Sequence, residues 1–391
     1  MSREVLVVAG ARTGIGDYGM SLKDVAATKL GAAAIREAIA RAKVDPASVG
    51  HVVMGSVIHG EAKDMYLSRV AAIEAGLQVG TPCLTVNRLC GSGLQAIVSA
   101  AQHIMLGDTD TVVAGGAESM SRAAYFLPAG RWGQRMGDAT VVDAMSAALH
   151  DPFGHGHMGV TAENIAAKYG FTRQQQDEYS VESHQRAAKA VESGYFKSQI
   201  VPIELKTRKG VEQFTTDEHV RKDANLADLG RLKTVFKKDG TVTAGNASGI
   251  NDAGAAIVMM EAKAAKNHKP LARLVAYAHA GVDPQVMGLG PIPAVRRVFE
   301  KAGLKPADMD VVESNEAFAV QAMAVTQDLG LDPAKVNPNG GAVALGHPIG
   351  ATGAILTVKA LYELERTQKR YALVTMCIGG GQGIAAIFER L

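Results

Sequence analysis

The sequence predicts an α/β protein made of two similar halves with an inserted lid domain, and three observations carry that prediction. Apolar, β-branched runs of strand length alternate with Ala-rich stretches of helical period. The order of these segments recurs at an offset of 260 residues, too long for a solenoid: Ala42-Lys43-Val44-Asp45-Pro46-Ala47 is matched by Ala302-Gly303-Leu304-Lys305-Pro306-Ala307. Between the recurrences, from about residue 119 to residue 248, the texture turns polar.

Taken in order, residues 5–8, 52–54 and 111–114 are short apolar runs expected as buried strands, and 30–42 and 94–106 are the helices between them. Residues 272–276 restart the series. Val86-Asn87 followed by Cys90-Gly91-Ser92-Gly93 and a helix is echoed by Val336-Asn337, Gly350-Ala351-Thr352-Gly353 and a helix. The strand-to-glycine passage at 111–116 is echoed at 373–379. Within the polar segment, 161–169 and 173–193 have helical texture, and 197–238 hold ten basic residues against six acidic. That bias reads either as a solvated face or as a site for a phosphate-bearing ligand. The expected division is residues 1–118 with 249–269 as the N-terminal half, 119–248 as the insert and 270–391 as the C-terminal half.

Composition narrows the function. With 41 Lys+Arg against 39 Asp+Glu, the chain lacks the basic excess that nucleic acid binding requires. No apolar run approaches the roughly eighteen residues of a membrane span. The N-terminal stretch, from Met1-Ser2-Arg3-Glu4, is not a cleavable apolar signal, and Phe388-Glu389-Arg390-Leu391 is not a peroxisomal address. Three cysteines cannot form a disulfide framework and suit a reducing compartment, so a soluble cytoplasmic enzyme is expected.

Four constellations could carry chemistry. In Asn87-Arg88-Leu89-Cys90-Gly91-Ser92-Gly93, a tight turn places Cys90 at the opening of a helix. The helix dipole there should favour a low-pKa thiolate, and the Cys90 N–H could serve as an oxyanion donor. His347, between Gly346 and Pro348, is a rigidly held candidate base. Cys377 ends a strand and is followed, after Ile378, by Gly379-Gly380-Gly381, a run of exposed N–H groups suited to an oxyanion. Asn315, in Glu313-Ser314-Asn315-Glu316-Ala317-Phe318, could orient a water or a carbonyl, or the motif could be a helix N-cap.

Two other classes stay open on residue grounds. Gly91-Ser92-Gly93-Leu94-Gln95-Ala96 and Gly381-Gln382-Gly383-Ile384-Ala385-Ala386 both fit the dinucleotide pattern of a nicotinamide dehydrogenase. The second lies too near the C-terminus for the rest of that unit to follow. His150, His155 and His157 raise a zinc site, although no paired cysteines accompany them and no metal is expected.

Together, Cys90 in V-N-R-L-C-G-S-G, Asn315 in N-E-A-F, His347 in G-G-A-V-A-L-G-H-P-I-G and Cys377 in C-I-G-G-G-Q-G resemble the thiolase family. The likeness runs from Glu4 to the C-terminus and is nearest to bacterial acetyl-CoA acetyltransferases and β-ketothiolases of polyhydroxyalkanoate synthesis. It implies a layered αβαβα fold and a ping-pong Claisen condensation of two acyl-CoA molecules. Coenzyme A would be substrate and product, with no separate cofactor. By resemblance, Cys90 holds the acyl group, His347 takes its proton and Cys377 works at the α-carbon. Asn315 with a water completes one oxyanion hole with His347, and the N–H groups of Cys90 and Gly379 form another.

The matching coenzyme A positions are Leu149, His157, Met158, Arg221, Ala244, Ser248 and Ile250, with Ala317 and Phe318 along the pantetheine. Asp228 stands where a biosynthetic relative has serine. His157-Met158-Gly159 resembles short-chain biosynthetic members, and Met287 borders the acyl pocket by resemblance. The family further implies a homotetramer, a dimer of dimers, with part of residues 120–143 as the assembly loop. A ketoacyl-carrier-protein synthase, a degradative long-chain thiolase and a non-catalytic acyl-CoA binder are the related alternatives.

Overall fold

A computed structural model describes residues 3–208 and 210–391; Met1 and Ser2 of the N-terminal stretch and Lys209 of the basic segment lie outside the described residues. The first half runs β1 (Val5–Arg12), the two-residue β2 (Gly16–Asp17), α1 (Ala27–Ala42), β3 (His51–Gly55), α2 (Leu67–Glu74), β4 (Cys83–Val86), α3 (Ser92–Leu106) and β5 (Thr111–Ser119). The insert follows with β6 (Tyr125–Phe126), β7 (Val142–Asp143), α4 (Ala144–Ala148), α5 (Met158–Tyr169), α6 (Arg173–Glu192), β8 (Ile203–Thr207), β9 (Gly210–Phe214) and α7 (Leu226–Leu229). Then β10 (Asn251–Glu261) completes the first half. The second half is β11 (Ala272–Gly281), α8 (Pro291–Ala302), β12 (Val311–Ser314), α9 (Ala319–Asp328), α10 (Ala342–Leu345), α11 (Thr352–Thr367), β13 (Tyr371–Ile378) and β14 (Gln382–Arg390).

The offset seen in the sequence reappears in the elements. β3 and β12 begin at 51 and 311, α3 and α11 at 92 and 352, and β5 and β13 at 111 and 371, each pair 260 apart. Helices α1 and α8 both end on a left-handed residue, Lys43 at φ 53° and Gly303 at φ 65°. Strand order repeats as well. The first half reads β4-β3-β5-β10-β1 and the second β12-β13-β14-β11, with a single parallel bridge from Val312 to Val336 in the place of β4. The two halves do not keep separate sheets. β1 and β11 join at Leu6–Arg273 and Val7–Ala272, so one hydrogen-bonded path crosses the whole molecule.

Layering follows from strands buried on both faces, which is why they read as continuous apolar runs. Alternate residues serve different cores. Val5 and Val7 face a central core with α3 and α11, while Leu6 and Val8 face an outer core with α1 and α2. In the second half, Val374, Met376 and Ile378 belong to the central core, and Leu373 and Cys377 to an outer core with α8 and α9. The order of layers is helix, sheet, helix, sheet, helix.

Segment Leu89–Leu106, at mean hydropathy 1.2, has the length and composition of a membrane span, but Ser92, Gln95, Ser99, Gln102 and His103 interrupt it, so it is not a continuous apolar run. Its helix is α3, whose buried residues Leu94, Ile97, Val98, Ala101 and Ile104 pack in the central core beside α11. Its apolarity answers burial between two sheets. Where α3 meets α11, a Cβ on Gly93 would lie 2.7 Å from the Ala354 nitrogen. Only glycine lets these two helix N-termini approach backbone to backbone.

The insert leaves at the end of β5 and returns at the start of β10, where Ser119 pairs with Asp252. In the second half, the equivalent connection between β13 and β14 is just Gly379-Gly380-Gly381, with Ile378 paired to Gln382. Gly380 and Gly381, at φ 80° and 85°, supply that turn. The apolar residues of the insert are shared out: Met158, Ala162 and Ile165 enter the outer core of the second half, Ala187 and Phe196 the central core, and Ile203 and Phe214 the outer core of the first.

Candidate active site

Cys90 sits on the turn between β4 and α3, two residues before the helix, and the preceding Leu89 is held at φ 45°. Positive φ at a branched, non-glycine residue is a strained conformation, here tied down by neighbouring hydrogen bonds. The Ser92 hydroxyl donates to Leu89 O (2.6 Å) and accepts from Arg88 N (2.9 Å), while Leu89 N donates to the Asn87 carboxamide (2.9 Å). The turn thereby presents Cys90 with one face partly open to solvent.

Burial of the sulfur pushes the Cys90 thiol up from its ordinary value, although the backbone N–H groups of Gly379 and of Cys90 itself point at it and pull it down. This corrects the expectation of a low-pKa thiolate. The helix N-terminus does favour negative charge, but desolvation is the larger effect here. Cys90 therefore rests as a thiol and needs a base.

Cys377, at the end of β13, is buried; desolvation first and the neighbouring Cys90 second push its thiol well up. The glycine turn after it serves two ends. It aims the Gly379 N–H at the Cys90 sulfur, and its missing side chain leaves room for Met158, whose Cε would lie 2.9 Å from a Cβ at Gly379.

His347 is 6% exposed. Its backbone N–H donates to the Asn251 carboxamide (2.9 Å), its Nδ1 lies 2.7 Å from the Thr352 hydroxyl, and its Nε2 is buried with no protein partner. Burial brings the imidazole down to about 4, so the ring is neutral near neutral pH. The same segment runs against the first turn of α3, where a Cβ on Gly93 would meet Gly350 O at 3.1 Å. Gly350 N also donates to the buried Glu118 carboxyl (2.8 Å), which accepts Val57 N and Ile58 N from the first half. Burial pushes Glu118 up to about 8 against the pull of those donors. Glu118 thus fastens the His347 segment of one half to the strand end of the other.

Asn315 follows β12, and its N–H donates to Thr375 O (3.0 Å), placing it beside the strand that ends in Cys377. Both of its side-chain polar atoms are buried without protein partners. It lines a small pocket of about 10 Å³ with Leu345, Gly346 and Thr352, next to the His347 turn. The N-cap reading holds for position alone: Phe318, the last residue of the motif, is the N-cap of α9, and its side chain makes no capping bond. Glu316 is buried and accepts from Tyr179, Ser183, Asn337 and Val343 N, holding the segment ahead of His347 in place.

Around this centre the expected coenzyme A positions separate into two groups. Met158 N donates to Leu149 O (2.8 Å), and Leu149, Ile250 and Cys90 pack against one small apolar cluster with Ile58 and Ile349. His157 caps α5 and stacks on Phe236 at 4.5 Å, and Phe236 meets Phe318 edge to face at 6.2 Å. Ser248 N donates to Ala317 O (3.0 Å). Arg221 and Ala244 are exposed. Asp228 is also exposed; its N–H is capped by Asn225 (3.0 Å) and its carboxylate lies 3.5 Å from Arg231. Met287 is buried in the outer core of the second half.

The remaining readings fare differently. Gly381-Gln382-Gly383 is a turn entering strand β14, and Gly93 is filled against the α11 backbone, so neither glycine pattern forms a phosphate loop opening a free helix. His150 and His157 lie edge to face at 5.2 Å, and among the described residues no group of three His, Cys, Asp or Glu is arranged for a metal ion. Sequence reasoning missed Glu118, Thr352, Phe236 and Asn251. A glutamate ending an otherwise apolar strand was the one available signal, for Glu118.

A half-buried thiol under two backbone N–H donors, beside a second thiol and near a neutral imidazole, defines a cysteine-nucleophile enzyme on a duplicated α/β scaffold. Residues 5–263 match the model of the thiolase N-terminal domain and 268–390 that of the thiolase C-terminal domain. The chain belongs to the thiolase family. It is 66% identical to the beta-ketothiolase BktB of Cupriavidus necator, over all of both chains. It is 49% identical to an acetyl-CoA acetyltransferase of the same organism, over 99% of each. The crystal structure of human mitochondrial 3-ketoacyl-CoA thiolase in complex with CoA superposes with a TM-score of 0.97 at 44% identity, covering 100% of this chain and 98% of that one.

Proposed function

We propose that this chain is an acyl-CoA:acetyl-CoA C-acyltransferase that reversibly condenses two acetyl-CoA, or acetyl-CoA with a short acyl-CoA, to a 3-ketoacyl-CoA and CoA. The observation that carries the reading is the pair of N–H groups, from Cys90 and Gly379, directed at the Cys90 sulfur beside Cys377. In the first half-reaction, His347 Nε2 takes the Cys90 proton and the sulfur attacks the thioester carbonyl. The two N–H groups stabilise the tetrahedral oxyanion, and the departing CoA sulfur receives the proton back from His347. In the second, Cys377 gives its proton to the neutral His347 Nε2 and, as thiolate, removes a proton from the methyl of acetyl-CoA. The enolate, held by the Nε2–H of the now protonated His347 and an Asn315-bound water, attacks acetyl-Cys90, and the released Cys90 sulfur takes the proton from His347.

Coenzyme A is substrate and product, with no resident cofactor. Its pantetheine runs along Ala317 and Phe318 past His157, Met158, Leu149, Ser248 and Ile250, and its nucleotide reaches Arg221 and Ala244 near the surface. Met158 and Leu89 crowding Gly379 support a short acyl group over the longer chains of a degradative thiolase. Exposed apolar side chains on the segment around β6 and β7, among them Tyr125, Phe126, Trp132 (88% exposed) and Met136 (92%), support a tetramer assembled through that segment. Light scattering at the mass of a monomer would remove this assembly. Three cysteines without a disulfide support a cytoplasmic location.

The direct test is intact mass and peptide mapping after mixing with acetyl-CoA: an acetyl group on Cys90, released by added CoA, is expected. No adduct on folded, reduced protein would sink the proposal. The pH dependence of that acylation follows from His347. Protonation removes the lone pair of the base, so the rate falls as pH falls through about 4. The acid limb is therefore expected well below that of an ordinary histidine at about 6.5. Rapid-quench mass spectrometry across pH reads it, and a limb centred near 6.5 would contradict the burial argument.

A further inference from the structure

We propose that Thr352 is a positioning residue that holds His347 in the Nδ1–H tautomer, so that Nε2 presents a bare lone pair to the Cys90 thiol. The inference rests on the catalytic reading above for its kinetic consequence, but its structural part stands on hydrogen-bond accounting alone. Thr352 is the first residue of α11 and is 2% exposed. Its hydroxyl has a single proton and two partners, Pro348 O at 2.9 Å and His347 Nδ1 at 2.7 Å. A carbonyl can only accept, so the hydroxyl proton goes to Pro348 O, and the contact with Nδ1 closes only if Nδ1 carries the hydrogen.

The opposite arrangement has the hydroxyl donating to Nδ1 and the ring proton on Nε2. That would leave Nε2–H a buried donor without an acceptor from the protein, since Nε2 has no protein partner. An unsatisfied buried donor is destabilising, and the first arrangement bonds every polar hydrogen in the group. The internal duplication supplies an independent copy of the same polarity. Ser92 stands 260 residues before Thr352 and likewise opens its helix. It must accept from Arg88 N (2.9 Å), so its hydroxyl donates back to Leu89 O (2.6 Å). In both halves, the first hydroxyl of the central helix gives its proton to the preceding turn and accepts from that turn. In the first half this steadies the turn of Cys90; in the second it accepts the imidazole.

Nitrogen-15 NMR of imidazole-labelled protein, with the His347 signal assigned by loss in His347→Asn, reads the tautomer directly. Wild type is expected to show protonated Nδ1 and unprotonated Nε2, and protonation on Nε2 would overturn the proposal whether or not the enzyme turns over. In Thr352→Val, which keeps the shape and removes the acceptor, the ring should shift toward Nε2–H. Acetylation of Cys90 should then slow by about 10²-fold, the scale of a lost general base, with half-saturation by acetyl-CoA unchanged. Thr352→Ser should restore both the spectrum and the rate. Unchanged acetylation in folded Thr352→Val would also overturn the proposal. If the valine variant fails to fold, the wild-type spectrum and the serine variant still decide. Wild type that never acetylates Cys90 would instead count against the catalytic reading.

Discussion

Replacing Cys90 with serine is expected to lower acyl transfer by about 10⁴-fold or more, because the covalent intermediate depends on this one atom. The site is shaped around a sulfur: two N–H groups meet it, and the strained Leu89 turn sets its position. A hydroxyl is smaller, far less acidic and a poorer leaving group, so both forming and breaking the acyl bond suffer. Burial weakens His347 as a base, so taking the proton of the Cys90 thiol is already uphill, and a hydroxyl, several units less acidic, widens that mismatch. The measurement is paired: thiolysis of a 3-ketoacyl-CoA, and intact mass after exposure to acetyl-CoA. Substantial turnover by Cys90→Ser would remove Cys90 as the nucleophile.

Cys377→Ala should separate the two half-reactions. Acetylation of Cys90 is expected to persist, while condensation falls by about 10³-fold, within the range for loss of a positioned acid–base group. The physical reason lies in the matching of acidities. A thioester α-carbon is a very weak acid, and each pKa unit of mismatch with the base adds about 1.36 kcal/mol. Burial and the nearby Cys90 raise the Cys377 thiol, which makes its thiolate a stronger base than an exposed one. Acetylation of Cys90 removes its capacity for negative charge and so eases ionisation of Cys377 at the stage when it is required. Rapid acetyl-enzyme formation with no ketoacyl-CoA is the expected signature. Equal loss of both half-reactions would assign Cys377 a structural role.

Much of the site was legible because glycine marks it. Cys90, His347 and Cys377 each stand among glycines that core packing does not require, and those glycines take up positive φ or admit a neighbouring backbone. The duplication was legible for a related reason. Turn residues such as Lys43 and Gly303 punctuate each half at the same spacing, so the offset of 260 survives where side-chain identity does not. Other features were hidden because their partners are remote in sequence. Glu118 meets Gly350, 232 residues away, and Asn251 meets His347, 96 residues away. Phe236 shows its stacking role only when the insert folds back between His157 and Phe318. The joining of the two sheets through two residue pairs of β1 and β11 left no trace in the pattern either.

By itself, the sequence determined the α/β class, the twofold internal order, the strand-sized apolar runs and the residue types that could bear a nucleophile, a base and a second thiol. These are local properties, set by periodicity, turn chemistry and composition within a few residues. Tertiary structure alone decided the ionisation of those groups and their grouping. The helix N-terminus at Cys90 argued for a thiolate; burial outweighed it and left a thiol, because desolvation depends on every element packed around the sulfur and not on the helix that carries it.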